Sequence, residues 1–172
     1  MILKIILLLV IISVSAYTDI KENKIKNKYL LVSLILGLVI SLLTSGIAGV
    51  KDSILGIIVP FVLLFIFFVI RMFGAGDIKL FCTIGAIMGL NFVINNIMYT
   101  VFSTGIVIII KLIISGQLLK ILKGMYYYFK SMLVGRCLIT FPRIENGRFP
   151  FAISILIGTI IQLILNYNFI TF

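Results

Sequence analysis

The sequence predicts an all-α, polytopic membrane protein of about six transmembrane helices, with a further amphipathic helix lying at the membrane interface. Three observations predict it. Of the 172 residues, 62% are hydrophobic and only 12% are charged, whereas a soluble domain is nearer half apolar and a quarter charged. Apolar residues gather into six runs, each near the ~20 residues that cross roughly 30 Å of hydrocarbon. Within each run they go all the way round the helix, as lipid-exposed spans require.

The runs are 2–17, 29–44, 54–70, 78–94, 97–115 and 149–168 of a single domain 1–172. The first two are short and would cross upright or thin the bilayer locally. Met1–Ala16 also carries a lysine, an apolar stretch and a Val14-Ser15-Ala16 ending, the pattern of a cleavable signal peptide. The lysines that follow oppose export of that segment, so a retained first span is the preferred reading. The fourth and fifth runs are separated only by Asn95-Asn96, which predicts a tight turn there. Glycines 37, 56, 85, 89, 105 and 158 lie within runs, where small residues let helix backbones approach.

Residues 116–140 do not read as a span. Gln117, Lys120, Lys123, Tyr127 and Lys130 recur at helical spacing, with Leu118, Leu119, Leu122, Met125 and Phe129 filling the other face. That predicts a basic interfacial helix, read as a membrane-anchored connector in preference to a substrate-contacting lid.

Basic residues set the orientation. Thirteen of the 15 Lys and Arg fall in or beside loops one, three and five, leaving Lys4 and Lys51 for the other side. The positive-inside rule then places those loops in the cytoplasm and both termini outside. A basic cytoplasmic face is attracted to anionic lipid, so the net charge of +10 requires no nucleic-acid partner.

Histidine is absent and cysteines are only two, Cys82 and Cys137. Catalysis by Ser-His or Cys-His pairs, an HExxH zinc site, a four-Cys zinc site and a disulfide framework are excluded; no metal or cofactor is expected, and both thiols read as inert. Any hydrolysis falls to Asp, Glu, Lys, Ser, Thr or Tyr. Of the five acids, Glu22, Asp52 and Glu145 read as solvated charges. Asp19 ends the first span and Asp77 begins the fourth, on the same side of the membrane. Carboxylates kept at a membrane boundary pair or line a water-filled cavity, and two brought together share a proton, so that one serves as base and the other as acid. On placement alone, helix-end charges or an ion site fit equally well. Gly74 and Gly76 precede Asp77 at a helix mouth, where they allow positive φ and a close backbone approach by a substrate. Lys79 falls on another helix face and is expected to snorkel toward headgroups.

Three blocks resemble the type IV prepilin peptidases, intramembrane aspartyl proteases of the GxGD class. Asp19-Ile20-Lys21-Glu22-Asn23-Lys24-Ile25-Lys26-Asn27 resembles the family's Asp, basic stretch and Ile-Pro-Asn, with Lys26 in the place of Pro. Gly74-Ala75-Gly76-Asp77-Ile78-Lys79-Leu80 resembles its Gly-x-Gly-Asp-hydrophobic-Lys-Leu block, and Arg148-Phe149-Pro150-Phe151-Ala152 its Pro-aromatic-Ala opening of the last span. The resemblance implies that Asp19 and Asp77 are catalytic, that Gly74, Gly76, Lys79 and Asn27 shape the site, and that the substrate is a prepilin-like or pseudopilin precursor losing its basic leader at the cytoplasmic membrane. The paired Cys-x-x-Cys insertion linked to N-methylation in many members is missing, so the short, peptidase-only form is expected. A small ion-coupled carrier using the same carboxylates is the alternative.

Overall fold

The computed structural model describes residues 2–22, 24–70, 73–116, 118–133 and 151–170. Among these residues there are six helices and no strand: α1 (Ile2–Glu22), α2 (Asn27–Val69), α3 (Ala75–Met88), α4 (Leu90–Ile114), α5 (Leu118–Leu133) and α6 (Phe151–Ile170). α1, α2 and α4 are long and apolar enough to cross a membrane, as the composition predicts.

α2 contains two of the predicted spans, folded on each other. Gly46 breaks it with φ 60° and ψ −147°, in the left-handed region that a residue with a Cβ enters at a cost. The hydroxyl of Ser53 donates to that of Ser41 at 2.9 Å, although twelve residues of straight helix would hold them about 18 Å apart. The halves 27–45 and 47–69 are therefore antiparallel, and the chain expected to be a loop at 45–53 is helical. Lys4 reaches the same cluster, its Nζ donating to Ser41 Oγ at 2.9 Å.

α3 is the core of this bundle. From Ile78 to Ile87 every residue except Lys79 is buried. At 14 residues it is about 21 Å long, too short to span by itself; sheathed in protein, it has no need to. Small residues seat it. A Cβ on Gly56 or Gly85 would run into the other's backbone, and one on Gly37 would lie 2.7 Å from the Ile87 side chain. Without hydrophobic drive between helices in lipid, such close packing supplies the attraction.

The predicted turn at Asn95-Asn96 is not where the chain turns. It turns at Gly89, whose φ is 92°, and both asparagines lie inside α4. Asn96 is fully buried, its Nδ2 donating to Thr159 Oγ1 of α6 at 2.9 Å. Gln162 Nε2 donates to the Phe92 carbonyl at 2.9 Å, and Ser103 Oγ to the Ser154 carbonyl at 3.0 Å. An amide that reads as a turn signal by composition here joins two helices. Asp52, expected to be a solvated charge, has a partner too: exposed on α2, its Oδ1 accepts the Leu90 N–H at 3.2 Å and caps α4.

The chain divides into two units, residues 1–103 with 150–172 and residues 104–149. The first holds the core just described. The second contains the end of α4 and α5, which bears out the expected helix over its described part: Leu119, Leu122, Tyr126 and Tyr127 are exposed apolar or aromatic side chains, with Lys123 and Lys130 exposed beside them. Residues 134–140 of that segment, Cys137, Glu145 and the Arg148–Pro150 part of the third block lie outside the described residues.

Candidate active site

Asp19 stands in the last turn of α1, partly buried. Its Oδ2 accepts the backbone N–H of Ala152 at 3.1 Å. Ala152 is the second residue of α6, so that N–H has no acceptor within its own helix, and the carboxylate of another helix supplies one. The negative charge also faces the positive end of the α6 dipole. Phe151 pins this helix start in place: its ring lies 5.0 Å from that of Phe73 and 6.4 Å from that of Phe81, both edge-on. Such pairs contribute about 0.5–1.5 kcal/mol beyond their burial.

Asp77 is the third residue of α3, one position before the predicted span 78–94. Its Oδ2 reaches back to accept the Gly74 N–H at 3.1 Å, while the Gly74 carbonyl accepts the Asp77 N–H at 3.2 Å. This is the acidic half of a capping box. Burial pushes the Asp77 carboxyl up to about 6; the Gly74 N–H opposes that shift and the nearby charge of Asp19 adds to it.

The positive φ expected of the two glycines of the block is not found. Gly74 has φ −79°, and Gly76 is not among the positive-φ glycines. What they supply is room. A Cβ on Gly74 would lie 3.0 Å from Asp77 Oδ2, and one on Gly76 would lie 3.2 Å from the Ile25 side chain. They let the carboxylate fold back and let Ile25 pack against the helix mouth.

Both acids open onto one cavity of about 320 Å³, whose wall also includes Gly74, Ala75, Gly76, Lys24 and Ile25. Asn27 and Lys79 complete it, with Lys79 Nζ donating to Asn27 Oδ1 at 3.2 Å. Lys79 thus has a side-chain partner in the protein, where snorkelling to headgroups was expected. All the predicted site residues therefore meet in one place. Lys24, Ile25 and Ala152 were not singled out by sequence reasoning; the Pro-aromatic-Ala block pointed at the helix start, but nothing local pointed from Ala152 to Asp19. Lys26, in the position of the family's proline, pairs with Glu22 at 2.8 Å across the turn between α1 and α2; both groups are exposed, so solvent screens the pair. Among the described residues no three His, Cys, Asp or Glu side chains come together as a metal site would require.

Fold and site define an all-α membrane protein in which two carboxylates from different helices share one cavity at a helix mouth. The sequence profile of the Type IV leader peptidase family matches residues 5–163, and the chain belongs to that family. Comparison with curated proteins and with solved structures gives no match.

Proposed function

We propose that the protein is a membrane aspartyl endopeptidase that removes the basic leader from prepilin-like or pseudopilin precursors at the cytoplasmic membrane boundary. The observation that carries this reading is that Asp19 and Asp77, 58 positions apart, open onto the same cavity. A buried carboxyl raised to about 6 beside a second carboxylate is poised to keep one proton between the two.

In the reaction, Asp19 takes a proton from a water molecule as the water oxygen bonds to the amide carbon. Asp77, protonated, donates a hydrogen bond to the carbonyl oxygen as negative charge develops there. When the tetrahedral intermediate collapses, the C–N bond breaks, a carboxylic acid forms, and a proton passes from the aspartate pair to the departing amine. Neither histidine nor a covalent intermediate is needed. The basic loops assign the site to the cytoplasmic side, with both termini outside, where a cationic leader would be retained. The basic, aromatic face of α5 suits contact with anionic lipid headgroups. The carrier alternative places its acids less well: both sit at span ends, whereas coupling carboxylates in carriers lie near the midplane.

The test is coexpression with a candidate precursor, scoring leader removal for wild type, Asp19→Asn and Asp77→Asn. Each substitution is expected to abolish cleavage while the protein still inserts. Near-normal processing by either one would end the two-carboxylate mechanism.

A further inference from the structure

The carboxylate cavity has a neighbour of opposite chemistry. A second cavity of about 300 Å³ shares Asn27 and Lys79 with it, and those two side chains form the hydrogen bond between the compartments. The rest of its wall is Leu30, Leu31 and Leu34 from α2 with Cys82 and Thr83 from α3. The polar atoms there are already engaged: Thr83 Oγ1 donates to the Lys79 carbonyl at 2.9 Å and Cys82 Sγ to the Ile57 carbonyl at 3.4 Å. Leu30 is buried, whereas Leu31 is 61% exposed on the apolar surface of α2. Apart from the Asn27–Lys79 pair, the compartment is therefore lined by apolar groups and by polar atoms already engaged.

We propose that this second cavity is the subsite for the apolar side chain immediately after the scissile bond, with the Asn27–Lys79 pair marking where the bound chain changes from polar to apolar. The assignment rests on the peptidase reading above. An extended chain advances about 3.3 Å per residue, so a peptide with its amide at the aspartates delivers its next side chain into an adjoining compartment. The shared wall selects the occupant. An acyl chain of a lipid matches the apolar lining but presents no amide to the acids; a peptide that turns from polar to apolar across one bond offers an amide to the first compartment and an apolar side chain to the second. Leu34, half-buried on the wall, then sets the size of side chain accepted.

The experiment uses the full chain in liposomes and precursor peptides carrying a basic leader and an apolar segment, with Phe, Leu or Ala after the scissile bond. Leu34→Phe narrows the cavity and is expected to lower kcat/KM about tenfold or more for the Phe precursor, while leaving the Ala precursor within about twofold. A measurement independent of that variant's folding places benzoylphenylalanine after the scissile bond and crosslinks it to Asp77→Asn protein. Adducts are expected within residues 30–34 or 82–83. Equal loss for all precursors, or adducts confined to lipid or to other helices, overturns the subsite while leaving the peptidase reading standing if wild type still cleaves. If wild type cleaves none of the precursors, the peptidase reading falls and the subsite with it.

Discussion

The Asp19 carboxylate and the Ala152 N–H, 133 positions apart, meet at 3.1 Å. One hydrogen bond thus ties the end of the first helix to the start of the last, and it orients one of the two acids on the shared cavity. Proline at 152 would delete that N–H, and the first turn of a helix tolerates proline. Ala152→Pro is expected to lower kcat by about ten- to a hundredfold with little change in KM, whereas Ala152→Gly, which keeps the N–H, should stay within a few-fold of wild type. Steady-state cleavage of a precursor peptide checks both.

The raised Asp77 carboxyl sets a pH dependence. Below about 6 Asp77 holds the proton it donates in the reaction; above that value the proton is lost. The kcat/KM profile is expected to fall on the alkaline side of about pH 6, tenfold per pH unit at the limit. Stability follows the same sign. A carboxyl whose folded pKa exceeds its unfolded value favours folding most below the unfolded pKa, and that contribution is lost as pH rises toward 6. Asp77→Asn is therefore expected to raise the thermal midpoint more at pH 8 than at pH 4, by an amount equivalent to at most about 3 kcal/mol.

Packing at the helix core gives a sharper contrast between two glycines. A Cβ on Gly85 meets the Gly56 backbone, whereas one on Gly105 meets nothing within 4 Å. Gly85→Ala is expected to cost about 1–3 kcal/mol through forced separation of α2 and α3, read as a lower melting midpoint in detergent. Gly105→Ala should leave the midpoint unchanged or slightly raised.

Asp52, on α2, stands beside the end of α3 away from Asp77, about 18 Å along the axis of that helix. Removing the cap on Leu90 with Asp52→Ala is expected to cost about 0.5–2 kcal/mol while leaving kcat and KM for a precursor peptide unchanged. Thermal unfolding and the cleavage assay, run side by side, separate the two effects.

Composition is enough to set the helical membrane class, since so apolar a chain has too few polar groups for a soluble surface. The sequence also singled out two acids as candidates: with no histidine and five carboxylates, Asp19 and Asp77 stood out by position and by the Gly-Ala-Gly-Asp block. It marked α5 through its amphipathic spacing. Each of these signals is local, carried by composition or by residues within a few positions of one another.

Where the chain turns and what each polar group does come from packing between distant segments. Asn95-Asn96 carries the local chemistry of a turn, yet Asn96 bonds to Thr159 and the turn falls at Gly89. Asp52 looks solvated beside Lys51, yet it caps a helix 38 positions on. Gly74 and Gly76 suggest unusual backbone angles, yet what they give is space for a carboxylate and for Ile25. The physical reason is common to all three. In a protein surrounded by lipid, a buried amide, carboxylate or free helix-end N–H must find its partner within the chain, and that partner comes from whichever helix packing brings near, which residue spacing does not encode.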